Sequence, residues 1–140
     1  MIKLKSILIV AVAFTLMSCN CKQKQETVAV QQVTQEKVVE LITATELEKV
    51  DESVQLIDVR TPDEFNGGHI KNAKNINFFE GNFIDQMSKL NKDEALYIYC
   101  RSGGRSGKAA QKLKNAGFTK VYDLQGGFMK WQSEGKEIIK

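Results

Sequence analysis

The sequence predicts an α/β fold in three layers, with a mostly parallel central sheet flanked by helices on both faces. Short apolar runs, most clearly VQLIDV at 54–59 and ALYIY at 95–99, alternate with segments of helical pattern. TATE at 43–46 and TPDE at 61–64 are capping boxes, each of which marks a helix start. Because parallel neighbours need a crossover connection, alternation of strand and helix favours a parallel sheet.

Each element follows from a local signal. In the second capping box Pro62 occupies the first helical position, where its missing N–H costs nothing. Gly117 is placed to end the longest helix. In chain order the predicted elements are a helix from the first box to about Val50, a strand at 54–59, a helix after Thr61, a strand at 73–78, a helix at 82–90, a strand at 95–99, a helix at 106–117, a strand at 120–124 and the segment GGFMKWQSEG.

The N-terminal segment 1–18 has the layout of a secretory signal peptide. Two lysines precede a mainly apolar run at 7–17, which is too short for a bilayer core that needs about 20 residues. LMSC at 16–19 resembles the lipobox of bacterial lipoproteins, which implies lipidation of Cys19 and export to a bacterial membrane, with the domain in the periplasm. The alternatives are an ordinary signal peptide and a buried N-terminal helix of a cytoplasmic protein.

Residues 19–40 are rich in Gln and Lys and are predicted to form a polar tether. The domain is placed at 41–140, although the valines before it could form a short strand. Without residues 1–18 the chain loses two lysines and no acid, so its formal charge falls from +3 to +1. This balance and the lack of a basic run argue against a nucleic-acid partner.

The chain has three cysteines, Cys19, Cys21 and Cys100, of which Cys100 alone lies in the predicted domain. A disulfide within the domain is thereby excluded. Two interpretations stay open for Cys21. It is a tail cysteine with no role, or it forms a disulfide with Cys100 after Cys100 has been modified. One histidine and no CxxC pair leave little to bind zinc, so no metal site and no cofactor are predicted.

The segment CRSGGRS at 100–106 joins the strand ALYIY to a predicted helix. Its glycines let the backbone N–H groups converge on one point, and the helix N-terminus adds partial positive charge. A cysteine in this setting, beside Arg101 and Arg105, should have its pKa lowered from about 8.5, which favours the nucleophilic thiolate. The segment therefore predicts an anion-binding site with a covalent cysteine.

Two other kinds of site do not fit this segment. In a phosphate-binding P-loop, glycine and Ser/Thr would stand where this chain has Ser102 and Ala109 around Gly107-Lys108. A cysteine protease would need a partner histidine, and His69 lies in a different strand-to-helix segment.

Three segments resemble the single-domain rhodaneses, a family of sulfurtransferases. LIDVRTPDEFNGGHI at 56–70 is similar to the first family signature, YCRSGGRS at 99–106 to the active-site loop, and DLQGGFMKW at 123–131 to the closing segment. The resemblance implies a rhodanese-like fold and a persulfide on the catalytic Cys100. It implies a sulfur-containing anion such as thiosulfate as donor and cyanide, a small thiol or a protein thiol as acceptor.

The same resemblance assigns the neighbouring residues. The substrate-binding loop is Arg101, Ser102, Gly103, Gly104, Arg105 and Ser106. Asp58, Arg60 and His69 are expected to support the structure through ion pairs and hydrogen bonds.

Two other functions stay open for this loop. Family members that act as phosphatases or arsenate reductases have one more residue in the loop, whereas four residues separate Cys100 from Arg105 here. The shorter loop favours a sulfur atom over a tetrahedral oxyanion. The other alternative is a relay module that passes persulfide sulfur between protein partners.

Overall fold

The computed structural model describes residues 38–140, which form five strands and five helices. The strands are β1 (Val38–Ile42), β2 (Gln55–Asp58), β3 (Lys74–Asn75), β4 (Leu96–Tyr99) and β5 (Lys120–Leu124). The helices are α1 (Ala44–Leu47), α2 (Pro62–Asn66), α3 (Phe83–Met87), α4 (Gly104–Asn115) and α5 (Gly127–Ser133). The predicted signal peptide, the predicted lipidation site Cys19, Cys21 and most of the predicted tether lie outside the described residues.

The strands form one sheet in the order β1-β5-β4-β2-β3, and each pairing between these strands is parallel. The chain runs from β2 to β4 by way of β3 at the edge, and from β4 to β5 through α4. The predicted α/β fold with a parallel central sheet is confirmed. Its central strand β4 lies between β2 and β5, so the loop that follows β4 is surrounded by the loops of both neighbours.

Two apolar clusters show that helices cover both faces of the sheet. Alternate residues of β4 point to opposite faces, with Ile98 in one cluster and Tyr99 in the other. The first cluster adds residues of α3 and α4, namely Phe83, Met87, Ala109, Ala110 and Leu113. The second adds residues of α1 and α5, namely Ala44, Leu47, Phe128 and Trp131.

The first strand crosses the predicted boundary between tether and domain. Residues 38–40 pair with residues 120–122 of β5, and the side chain of Val39 packs against the first cluster. The domain therefore includes at least three residues that were assigned to the tether. These residues belong to the domain because their backbone pairs with β5. The local sequence does not reveal which strand they pair with.

Several other boundaries differ from the predicted ones. Both capping boxes are present, but α1 ends at Leu47 rather than at Val50. The ladder of β3 includes only Lys74 and Asn75 of the predicted 73–78, because this strand has a single neighbour at the sheet edge. α4 begins two residues before the predicted start at 106, since Gly103 caps it in the left-handed region.

Within residues 38–140 no helix has the length and apolar character needed to cross a bilayer. The same residues contain no cluster of three or more His, Cys, Asp and Glu side chains arranged to hold a metal ion.

Candidate active site

The loop between β4 and α4 places Cys100 at the carboxyl end of the central strand. Its side chain is 1% exposed. The start of α5 packs directly against the loop backbone: the N–H of Phe128 donates to the carbonyl of Cys100 at 2.8 Å, and the N–H of Met129 donates to the carbonyl of Arg101 at 3.0 Å. Ligands of parallel sheets bind beyond the carboxyl ends of the strands, where this loop lies.

Two donors lie within hydrogen-bond distance of the Cys100 sulfur. The N–H of Gly103 is 3.2 Å from Sγ, and the Ser106 hydroxyl is 3.4 Å from it. Burial raises the pKa of the thiol, but hydrogen bonds from the Ser106 side chain and from backbone N–H groups of Ser106, Ser102 and Gly103 outweigh it, so the pKa is lowered. The sequence predicted this direction but attributed it partly to the flanking arginines. Hydrogen-bond donors of the loop are the cause in the structure.

The two loop glycines have different roles. Gly103 adopts a φ of +100°, which side chains other than glycine rarely tolerate, and this turn brings its N–H to the sulfur. Gly104 is the first residue of α4, and a Cβ added there would meet nothing within 4 Å. The sequence predicted that the backbone conformation requires glycine at both positions. In the structure only Gly103 has a conformation that requires glycine.

The polar side chains at the outer edge of the loop face water. Arg101 and Ser102 are both exposed, and the hydrogen bonds to the sulfur come from Gly103 and Ser106 instead of these side chains. The backbone N–H of Ser102, rather than its hydroxyl, acts on Cys100.

Arg105 binds a residue that the sequence did not connect with the loop. Its Nη1 donates to Oε2 of Glu64 at 2.6 Å and its Nη2 donates to Oε1 at 2.7 Å, a bidentate pair. Glu64 also completes the capping box of α2 with Thr61. In the sequence, Glu64 was assigned only to the capping box of α2. Because α2 directly follows β2, and β2 pairs with β4, Glu64 lies beside the loop that follows β4.

Replacing Glu64 with glutamine is expected to remove a pH-dependent part of the stability. Hydrogen bonds from Arg105 lower the pKa of Glu64 from 4.5 to about 2. The carboxylate therefore stabilises the fold fully above about pH 4.5, and that contribution is lost as the pH falls towards 2. Because both side chains are partly exposed, we expect the variant to lose about 1 to 2 kcal/mol at pH 7 and less at pH 3.

Glu46→Gln is the matched control for this measurement by urea denaturation. Glu46 has the same place in the capping box of α1, where it accepts hydrogen bonds from the N–H and hydroxyl of Thr43 at 2.8 and 2.6 Å. It has no arginine partner among the described residues. Equal losses in the two variants would contradict the contribution of Arg105.

A buried ion pair supports the loop from the β2 side. The guanidinium of Arg60 donates to both oxygens of Asp58, with the shortest contact at 2.6 Å, and also to the carbonyl of Gly68 at 2.7 Å. It also lies over the ring of Phe128, 4.0 Å from the centroid. Asp58 and Arg60 thus join β2, the loop before β3 and α5. Because both side chains are buried, removal of one partner would cost about 3 to 5 kcal/mol.

His69 lies among structural contacts rather than against the sulfur. Its ring stacks on Phe65, with centroids 3.9 Å apart, and its Nδ1 is 3.2 Å from the carbonyl oxygen of Phe65. Its backbone forms an antiparallel bridge with Ile139, through hydrogen bonds of 2.8 and 2.9 Å. The residue therefore ties the end of α2 to the C-terminal segment.

Two large apolar side chains are exposed beside the loop. Phe79 is 66% exposed, and its ring centroid lies 5.7 Å from Cζ of Arg105. Met129 is 52% exposed and follows Phe128 at the start of α5, where its N–H binds Arg101. The sequence analysis did not single out either residue, because a lone apolar residue in a loop or short helix carries no signal of exposure.

Comparison with known proteins gives a consistent family. The family model of the Rhodanese-like domain matches residues 43–134. An uncharacterised protein of Bacillus subtilis, YqhL, is 40% identical over 99 residues, which cover 71% of this chain and 77% of that protein. The thiosulfate sulfurtransferase GlpE of Shewanella oneidensis is 40% identical over 79 residues, which cover 56% of this chain and 76% of that protein.

Solved structures agree with the sequence comparison. A rhodanese-like domain protein of Staphylococcus aureus has a TM-score of 0.61 at 36% identity, covering 72% of this chain and 99% of that one. A rhodanese-related protein of Thermoplasma volcanium has a TM-score of 0.64 at 28% identity, covering 71% of this chain and 97% of that one. The matched segment includes the β4–α4 loop, Glu64 and the start of α5. The chain belongs to the rhodanese-like domain family.

Proposed function

We propose that the protein is a sulfurtransferase that carries sulfur as a persulfide on Cys100. The Cys100 thiolate attacks the outer sulfur of thiosulfate or a related donor. A new S–S bond forms, the S–S bond of the donor breaks, and sulfite leaves with that electron pair. The terminal sulfur of the persulfide then passes to cyanide, a small thiol or a protein thiol, and Cys100 is released as thiolate.

The observation that carries this proposal is the set of donors around one sulfur atom. Cys100 is buried at a strand end, and the loop N–H groups and the Ser106 hydroxyl lower its pKa. The same donors would stabilise negative charge on a persulfide without rearrangement. Relatives named as thiosulfate sulfurtransferases, among them that of Shewanella oneidensis, support thiosulfate as the donor.

The state of Arg105 favours sulfur transfer over phosphate or arsenate chemistry. A phosphatase loop needs its arginine to bind oxyanion oxygens, whereas both terminal nitrogens of Arg105 are bound to Glu64. The four residues between Cys100 and Arg105 also make a small loop. We expect no hydrolysis of an aryl phosphate and no thiol-dependent reduction of arsenate.

The exposed Phe79 and Met129 favour a protein as the physiological acceptor. Exposed aromatic and methionine side chains beside a reactive residue are typical of surfaces that contact other proteins. In the extreme case the protein relays sulfur between partners with little turnover of free small molecules. Normal persulfide formation together with negligible thiosulfate:cyanide turnover would distinguish the relay from the enzyme.

Mass spectrometry after treatment with thiosulfate tests the function. Trypsin should release Cys100 in the peptide 93–101, separate from Cys19 and Cys21. We expect this peptide to gain one sulfur atom, and cyanide should remove that atom as thiocyanate. If no sulfane donor adds sulfur to this peptide, the proposal is wrong.

We also propose that lipid on Cys19 anchors the protein to a bacterial membrane, with the domain in the periplasm. The lipobox-like LMSC at 16–19 supports this. Wild-type protein made in a bacterium should partition into the detergent phase of Triton X-114, and Cys19→Ala should partition into the aqueous phase. Equal partitioning of the two would exclude the anchor.

A further inference from the structure

A pocket opens on the face of the sheet that α1 and α5 cover. Its apolar lining comes from the second cluster and the side chains packed against it, namely Leu47, Val50, Val54, Leu56, Ile70 and Trp131. Cys100 belongs to the first cluster, on the opposite face. Leu56 pairs with Tyr97, which precedes Cys100 by three residues, or about 10 Å along the strand. The pocket is therefore separate from the candidate active site.

The pocket exists because the helices on this face are short. α1 has only four residues, a length of about 6 Å, and the chain then crosses to β2 without further helix. Val50 and Val54 in this connection are half-buried, whereas Leu56 and Trp131 are buried. The pocket thus has an apolar floor and an open mouth.

The volume of the pocket sets the size of its ligand. The volume is about 140 Å³. An engineered cavity of about 150 Å³ with apolar walls binds one benzene molecule. The ring of Trp131 also supplies a wall that attracts both aromatic rings and organic cations. One aromatic ring, or an aliphatic group of similar size, therefore fits the floor.

The rim of the pocket is acidic. Four carboxylates line it, those of Glu48, Asp51, Glu52 and Glu137. The lysines near the rim are already paired: Lys71 donates to Glu52 at 3.0 Å, and Lys136 forms an ion pair with Glu48. An anionic ligand would therefore have to displace a carboxylate to reach either lysine.

The other two carboxylates have no ion-pair partner within residues 38–140. Asp51 accepts hydrogen bonds from the N–H and the hydroxyl of Ser53, which are neutral donors. Glu137 binds Trp131 Nε1 through its backbone carbonyl at 2.8 Å, and its side chain has no hydrogen bond to the described residues. Four carboxylates and two lysines leave a formal charge of −2 at the rim. This charge favours a cation at the mouth of the pocket.

We propose that this pocket binds a small organic cation, in which an apolar group of about six to eight heavy atoms carries one ammonium group. The apolar group fills the floor against Leu56, Ile70 and Trp131. The ammonium group lies at the rim near the side chain of Glu137. The site requires no persulfide chemistry and goes beyond the proposed function.

Trp131 provides a direct readout of binding, because it lines the pocket and is the single tryptophan of the chain. Three probes share one ring and differ in the charge of the head group: benzylamine, which is protonated at pH 7, benzyl alcohol and benzoate. Each is titrated into the full chain at low ionic strength while tryptophan fluorescence is recorded. We expect benzylamine to bind with a Kd of about 1 mM or below.

The order of affinities tests the role of charge. Benzylamine should bind about two- to fivefold more tightly than benzyl alcohol, and benzoate should bind most weakly. Added salt should reduce the difference between the amine and the alcohol. Equal affinities for these two probes would overturn the preference for a cation. If benzylamine gives no saturable change in fluorescence or in the NMR signal of the Trp131 indole N–H, the site itself is wrong.

Glu137→Gln removes the unpaired carboxylate and keeps the shape of the side chain. We expect it to weaken the binding of benzylamine about twofold and to leave benzyl alcohol unchanged. Glu134→Gln is the matched control, because Glu134 is also exposed but does not line the pocket. Equal effects of the two variants would overturn the role of Glu137.

Val50→Phe tests the location of the site. The new ring enters the pocket from a half-buried position and should abolish the response to benzylamine and to benzyl alcohol. Binding that persists in this variant would place the probes elsewhere and overturn the proposal. Cys100→Ser should bind benzylamine as the wild type does, so that this result and the test for persulfide on Cys100 stand independently.

Discussion

Replacing Cys100 with serine is expected to abolish sulfur transfer from thiosulfate and to leave the fold intact. A serine hydroxyl is not ionised near neutral pH and cannot hold sulfur as a persulfide. We expect kcat/KM to fall by at least about 10⁴-fold, because the variant loses the whole covalent route. The free energy of unfolding should change by less than about 1 kcal/mol, since one small buried atom replaces another. Steady-state assays and urea denaturation measure the two quantities.

Cys21→Ser is the control for this experiment. It removes a thiol that lies outside the domain, and it should retain full transfer to cyanide. Residual activity of Cys100→Ser above one hundredth of the wild type would show that another group accepts the sulfur.

Replacing Gly127 with alanine is expected to destabilise the domain and to displace the loop that holds Cys100. A Cβ at this position would lie within 3 Å of the backbone of Cys100 and Arg101, and the φ of Gly127 is +59°. Moving either backbone segment away would cost free energy, because the N–H groups of Phe128 and Met129 donate hydrogen bonds to the carbonyls of Cys100 and Arg101. Overpacking and left-handed strain together should cost about 3 kcal/mol or more.

Gly135→Ala separates the two causes. Gly135 has a similar φ of +69°, but a Cβ there meets nothing within 4 Å. We expect this variant to lose only about 1 kcal/mol, the cost of the left-handed conformation, and to keep its activity. Urea denaturation and persulfide formation should be measured on both variants. Equal losses would show that contact with the loop backbone is not what requires glycine at 127.

Much of the active-site loop could be predicted because its signals are local. A cysteine directly after an apolar strand, glycines at the turn and a helix afterwards predict a candidate nucleophile and place backbone donors beside it. The capping boxes at Thr43 and Thr61 were also local, and both are present. These features depend on residues within a few positions of one another, where sequence and geometry are tightly linked.

The partners of the loop could not be predicted in the same way. Glu64 and Arg105 are 41 positions apart, and only the adjacency of β2 and β4 brings them together. The requirement for Gly127 depends on α5 packing against the backbone of Cys100. The burial of Asp123 depends on α4 covering β5. Each of these relations arises from the strand order, which crossover connections do not fix.

By itself the sequence therefore determined the α/β fold, the place of Cys100 at the end of a strand and the donors of its own loop, because periodicity, turn chemistry and helix capping act over a few residues. Only the tertiary structure decided where β1 pairs, which carboxylate binds Arg105 and which acid is buried under α4. Those outcomes depend on which strands become neighbours, and burial against a distant neighbour is what sets the charge and the pKa of a side chain.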